Sequence, residues 1–302
     1  MTPRILPHDH AARLERARLS LEGLSLGDGF GQRFFYQSTL PFLLKEKALP
    51  APPWRYTDDT AMALSVYETL AEHGEIDQDA LAIRFAQRFQ KEPQRGYASG
   101  AIELLEGINR GESWREAAAN LFEGQGSKGN GSAMRVAPVG AYFADDLPAL
   151  VANAAASAEV THMHPDGKAG AIAVALATAY AWRSRGESAP ATMLEFVLEH
   201  TPAGSTADGL AQAAVVPLTT PSRNAAGILG NGGYVLCSDT VPFCIWSAAG
   251  NLNDFPAALW STASVQGDMD TNCAIVGGVV SVAVGATGLP AEWLAAREPL
   301  PL

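Results

Sequence analysis

The sequence predicts an all-α protein, a compact single-domain bundle of many helices spanning residues 1–302. Three observations carry this expectation. Apolar residues recur at helical spacing in several segments, strand-like patterns are scarce, and turn clusters divide the chain without a long linker or an internal repeat. With 47% hydrophobic residues the chain has material for a large core, which excludes disordered and collagen-like chains.

The elements follow in order. Met62, Val66 and Leu70 repeat every four residues after an Asp-Asp-Thr segment and predict one amphipathic helix. Leu81, Phe85 and Phe89, flanked by Ala82 and Ala86, predict a second over 78–90. In 169–181 alanine alternates with Ile172, Val174, Leu176 and Tyr180. Alternation is a strand signal, but 13 residues is long for a strand and alanine is the strongest helix former, so a closely packed helix is expected. Met193, Phe196 and Val197 predict another helix near Glu199. The short segment 234–237, after Asn231-Gly232-Gly233, is the one strand candidate. Turn clusters fall at 49–53, 124–131 and 217–222.

Charge and cysteine usage narrow the function. Lys and Arg number 21 against 32 Asp and Glu, a net charge of −11, which disfavours nucleic-acid polymers and anionic membranes but leaves room for a single bound nucleotide. Cys237, Cys244 and Cys273 form neither an even disulfide framework nor a CxxC pair, as expected for reduced, buried thiols in the cytoplasm. The first 19 residues carry four arginines and no apolar stretch, unlike a signal peptide. The longest apolar runs, 14 and 17 residues, are shorter than the roughly 20 that a spanning helix needs.

Two acidic clusters are the candidates for chemistry: Thr57-Asp58-Asp59-Thr60 and Asp268-Met269-Asp270-Thr271, each at the start of an apolar helical segment. Either alone reads as a helix cap, since Asp and Thr are preferred there and the helix dipole favours negative charge. A cap needs one side chain, however, and adjacent carboxylates repel. Two doubled clusters, 210 positions apart, instead predict an oxygen-only site for hard divalent cations if folding joins them. The run Gly126-Ser127-Lys128-Gly129-Asn130-Gly131-Ser132-Ala133-Met134-Arg135 predicts a turn leading into a helix, where backbone N–H groups can cradle a phosphate. It is neither a Walker loop nor a dinucleotide fingerprint. Gly27-Asp28-Gly29-Phe30-Gly31 offers close backbone approach. His162 and His164 lack a third soft ligand nearby, so a polar contact to a ligand is expected rather than zinc. No GxSxG elbow and no HExxH occurs, which leaves serine-hydrolase and zincin chemistry unsupported.

Taken in order, five segments resemble the ADP-ribosylglycohydrolase family of the dinitrogenase-reductase-activating type. They are Gly27 to Gly31, Trp54-Arg55-Tyr56-Thr57-Asp58-Asp59-Thr60, Gly129 to Arg135, Thr161-His162-Met163-His164-Pro165 and Gly267-Asp268-Met269-Asp270-Thr271. The likeness runs from about residue 12 to residue 293. It implies an all-α fold with two Mg²⁺ (or Mn²⁺) ions at the floor of an ADP-ribose cleft. By position it assigns Thr57, Asp58, Asp59, Asp268, Asp270 and Thr271 as metal ligands, with Asp58 and Asp59 also orienting the attacking water. It places Gly129, Asn130, Gly131, Ser132 and Met134 by the diphosphate, His162 near the ADP-ribose and Tyr97 beside the cleft. The implied reaction is hydrolysis at C1″ of an ADP-ribosylated protein, with ADP-ribose as product.

Two positions depart from the family pattern. Phe35 stands where many members carry a movable metal-binding glutamate, seven residues after Asp28. Members that act on arginine-linked ADP-ribose can lack this glutamate, so arginine linkages are expected over serine-linked or polymeric ones. The same change leaves open a non-catalytic ADP-ribose-binding protein or hydrolysis of another linkage such as O-acetyl-ADP-ribose; a phosphohydrolase using the same aspartates is a third reading. Gln266 stands where another glycine is frequent, a change expected to cost little.

Overall fold

The structure is a computed structural model that describes residues 6–35, 40–186 and 190–302. The first half of the chain forms α1 (His10–Gln32), α2 (Leu40–Glu46), α3 (Asp58–His73), α4 (Gln78–Lys91), α5 (Ser99–Asn109), α6 (Trp114–Gly124), α7 (Ala137–Tyr142) and α8 (Leu147–Glu159). The second half forms α9 (Pro165–Arg183), α10 (Pro190–His200), α11 (Ser205–Val215), α12 (Ser222–Leu229), α13 (Cys237–Gly250), α14 (Phe255–Ala263), α15 (Met269–Val284) and α16 (Ala291–Ala296). Two short 3₁₀ turns, Asn130–Ser132 and Ala286–Gly288, complete the elements. The described residues hold two isolated β-bridges and no strand longer than that.

The periodic segments become helices as expected: α3, α4, α9 and α10 contain all four. The alanine-rich α9 is buried nearly from end to end, which explains its pattern. A helix enclosed on all sides carries no polar stripe, and small residues let its neighbours approach. The strand candidate at 234–237 is not a strand. Val235 adopts φ of +58° and Cys237 already opens α13, leaving one antiparallel bridge between Gly129 and Leu236.

The centre of the molecule is the crossing of α1 on α15, the most extensive helix pair in the fold. Glycine makes it possible. A Cβ at Gly27 would lie 1.9 Å from the carbonyl oxygen of Cys273, and one at Gly31 would lie 2.3 Å from that of Met269. The backbones therefore touch directly, and side chains on α1 and at the start of α15 come together in depth. Just beyond, Phe30 sits among Phe34, Trp54, Trp260 and Trp293, with ring centroids 4.8–5.5 Å away. Trp54 also clips the C-terminal segment: its N–H donates to the Ala296 carbonyl at 2.7 Å, and the Glu298 N–H donates to its carbonyl at 2.9 Å. The three cysteines are buried free thiols. Among the described residues no helix is long and apolar enough to cross a membrane.

Candidate active site

Thr57 caps α3 from an extended backbone, accepting a hydrogen bond from Asp59 N at 3.3 Å. Its own hydroxyl lies 2.8 Å from Asp28 Oδ1 and 2.9 Å from Asp59 Oδ2, so it is committed to one carboxylate or the other. Asp28, fully buried in α1, faces the first turn of α3 as a counter-charge. It accepts hydrogen bonds from Thr57 N at 2.9 Å, Thr60 N at 3.1 Å and Thr60 Oγ1 at 2.5 Å. Otherwise orphaned N-terminal amides are thereby satisfied by a charge that the helix dipole favours. Asp58 N is fixed separately by the Arg95 carbonyl at 2.8 Å.

The distant cluster arrives on α15. Asp268 stands at the N-cap, and Asp270, in the first turn, accepts from Thr271 N at 2.9 Å. One oxygen each of Asp28, Asp59 and Asp270 lie within 4.8 Å of one another. Asp58, Asp59, Asp268, Asp270 and Thr271 line one cavity of about 510 Å³. The two sequence clusters thus meet. Asp28 joins them as a fifth carboxylate that the motif reading passed over. Its signal was present in the sequence: a charged residue between glycines, in a helix otherwise lined by Leu24, Leu26 and Phe30.

Burial of so many carboxylates has an electrostatic consequence. Burial, reinforced by the Asp28 and Asp268 charges, pushes Asp58 up to about 7. Burial is also the leading cause that raises Asp28 and Asp268 and lifts Asp59 and Asp270 well above the carboxylate range. The Arg135 cation opposes this shift at Asp58, and its own pKa falls to about 9 through burial. Moreover Asp59 Oδ1 is buried without any hydrogen-bond partner. An all-oxygen donor set with surplus negative charge and an orphaned buried oxygen fits a hard divalent cation, which supplies the missing charge and the missing partner.

The glycine turn forms another wall. Gly129, Asn130, Gly131 and Met134 line the cavity together with His162. The turn leads into the 3₁₀ segment Asn130–Ser132 rather than directly into a long helix. Asn130 Nδ2 donates to Asp268 Oδ2 at 2.7 Å and so joins the turn to the acidic cluster. Ser132 points elsewhere, its hydroxyl donating to the Gly167 carbonyl at 2.7 Å. Tyr97 lies behind the wall, its ring set edge-on to Phe89 and its buried hydroxyl without a partner. The cavity mouth carries Phe122 and Tyr234, 64% and 81% exposed, on lining segments that include the left-handed residues Phe122 and Val235. Phe35 packs against the apolar core just after α1, so position 35 offers no carboxylate.

This all-α architecture, with an acidic cluster beside a glycine turn, defines a class by comparison. The ADP-ribosylglycohydrolase family profile matches residues 9–299, and the chain belongs to that family. Among its relatives, ADP-ribosylhydrolase ARH3 of Xenopus tropicalis is 36% identical over 201 residues, covering 63% of this chain and 56% of that protein. The aligned region therefore spans little more than half of that relative's length. ARH3 of Homo sapiens is 29% identical, with 94% of this chain and 89% of the relative covered. ADP-ribosylarginine hydrolase Tri1 of Pseudomonas putida is 25% identical over 93% of this chain and 74% of its own length. A solved structure titled ADP-ribosylglycohydrolase-related protein complex superposes with a TM-score of 0.65 at 21% identity, covering 95% of this chain and 93% of that one, and shares the fold.

Proposed function

We propose that the protein is a divalent-cation-dependent hydrolase that cleaves the C1″ glycosidic bond of ADP-ribosylated proteins, acting on arginine linkages and releasing ADP-ribose. The observation that carries this reading is the meeting of Asp28, Asp59 and Asp270 within 4.8 Å in a chain of this family. When bound, two Mg²⁺ or Mn²⁺ ions held by Thr57, Asp58, Asp59, Asp268, Asp270 and Thr271 neutralise the carboxylates and orient the hydroxyls of the distal ribose.

The chain's own residues do the rest. Asp58 and Asp59, which both line the cavity, orient the attacking water. The Gly129–Gly131 backbone lies close enough to the lining for a diphosphate to reach it, and His162 forms the adjoining wall. Water adds to C1″, the C1″–N bond breaks with its electron pair leaving on the guanidino nitrogen, and the proton that the water loses ends on the released guanidine to restore the arginine cation. A cationic guanidinium departs as neutral guanidine without help from an acid, whereas a serine alkoxide needs a proton donor. Phe35 places no carboxyl where many members carry the movable metal-binding glutamate, and this change favours arginine linkages. The name of the Pseudomonas putida relative points the same way.

The test is incubation of the purified protein with arginine-, serine- and acetyl-linked ADP-ribose, with Mg²⁺ and with EDTA. Intact ADP-ribose released from the arginine conjugate, and lost in EDTA, is the expected result. AMP or phosphate as product overturns the reaction, and binding of ADP-ribose without any hydrolysis replaces the enzyme by a binding protein.

A further inference from the structure

A buried chain of hydrogen bonds behind the cavity wall ends on His162. Arg135 is fully buried, its guanidinium stacked 4.6 Å over the Phe85 ring. Nη1 donates to the Gly131 carbonyl at 2.8 Å, and Nη2 donates to the Ser157 carbonyl at 2.9 Å and to Thr161 Oγ1 at 2.8 Å. Thr161 Oγ1 in turn lies 2.6 Å from His162 Nδ1. A guanidinium has no lone pair to offer, so in the first contact the hydroxyl must accept. Its single hydrogen is then free, and Nδ1 is its acceptor. Were Nδ1 protonated instead, a hydroxyl hydrogen on a residue only 3% exposed would be left without an acceptor, at the full cost of an unmade buried hydrogen bond. Burial, together with the Arg135 cation, holds the ring neutral by lowering its pKa to about 3.

The geometry points to Arg135 and Thr161 as positioning residues that lock His162 in its Nε2–H tautomer, making it an obligate hydrogen-bond donor to an anionic oxygen of the substrate. Nε2 makes no hydrogen bond among the described residues, yet His162 lines the cavity. A Cβ built at Gly129 would stand 3.3 Å from Nε2, and one at Gly131 would stand 3.2 Å away. The ring edge therefore lies against the backbone of the glycine turn, where the Gly129 and Asn130 N–H groups already donate to Ser127 Oγ and the Val235 carbonyl, so Nε2–H supplies a free donor on that surface. A phosphate oxygen of a nucleoside diphosphate suits that surface, since it only accepts. Arg135 also binds the Gly131 carbonyl, so one guanidinium fixes both the turn and the tautomer. This inference deepens the proposed function and rests on it for the identity of the ligand.

The test begins with the ligand-free protein. Nitrogen-15 spectra of the His162 ring, assigned by loss of the signals in His162→Gln, are expected to show a proton on Nε2 and a bare Nδ1. Thr161→Val removes the hydroxyl at nearly constant shape; it is expected to populate the Nδ1–H form and to weaken binding of free ADP-ribose in Mg²⁺, by calorimetry, about tenfold, the worth of one hydrogen bond. Thr161→Ser keeps the relay and is expected to restore both readings. A proton on Nδ1 in the parent protein overturns the relay, as does a Thr161→Val variant with an unchanged tautomer. Either result with hydrolysis intact leaves the proposed function standing. The expected tautomer in a protein that hydrolyses no ADP-ribose linkage overturns the proposed function instead.

Discussion

Asp59 divides its two oxygens between two environments. Oδ2 lies 2.9 Å from the Thr57 hydroxyl that it shares with Asp28, while Oδ1 is buried with no partner. An asparagine would keep the volume of the side chain and remove its charge. Asp58→Asn and Asp59→Asn are each expected to fold and to lower kcat/KM by about 100-fold or more, measured as ADP-ribose release. Unchanged turnover in both variants would remove these residues from the chemistry. Gln266 is a second instructive residue. The sequence comparison within the family pattern gave no reason to expect a cost, but the structure places it at φ of +61°, immediately before Gly267 at +76°. A side chain there crowds its own carbonyl. Gln266→Gly is expected to raise stability by about 1 kcal/mol in urea unfolding, less whatever the glycine gains in the unfolded chain. At this scale the paired carboxylates were legible because doubling exceeds what a cap requires. Asp28 left a fainter signal, a charge between glycines in a largely apolar helix, and its role becomes definite only when the start of α3 is brought against it.

The elements were legible wherever one face met solvent. Leu81, Phe85 and Phe89 are buried on one side of α4, as the four-residue repeat requires. Buried elements were harder. In α9 burial on all sides erases the polar stripe, and the alternation of alanine with larger residues mimics a strand. At 234–237 the aromatic and β-branched residues do sit in an exposed loop, where their type reflects the cavity mouth and not a sheet. What no local pattern reveals is the crossing of α1 and α15. The glycines at 27, 29 and 31 announced a close approach, and the partner proves to be α15 for Gly27 and Gly31 and the Trp54 segment for Gly29. Gly27→Ala would drive a methyl group into the Cys273 carbonyl. We expect it to destabilise the fold by about 3 kcal/mol in denaturant titration and to weaken Mg²⁺ binding with it, since Asp28 and Asp270 ride on the two helices forced apart.

The whole molecule feels the acidic cluster through its pH dependence. Asp58 titrates near 7 in the folded metal-free protein against about 4 when unfolded, so between those values the folded state holds a proton that the unfolded state has released. Its contribution to stability is therefore fully present below about pH 4 and is lost as pH rises through about 7. The metal-free protein is expected to melt at progressively lower temperature across that window, and added Mg²⁺ to help most at its upper end. At about 100 times its dissociation constant a ligand adds about 2.7 kcal/mol, which for a chain of this size raises Tm by roughly 4 °C. A melting temperature indifferent to Mg²⁺ and EDTA at pH 8 would count against divalent-ion binding by the cluster.

The rings around Phe30 give this chemistry a built-in optical readout. Three of the six tryptophans, Trp54, Trp260 and Trp293, gather two residues along α1 from Asp28. Indole emission shifts to the red when water reaches it, so any loosening of the α1 end beside the carboxylates colours the fluorescence of the native chain. Mixing the protein with chelator and following that emission over time would report how quickly the acidic pocket relaxes, with no label attached.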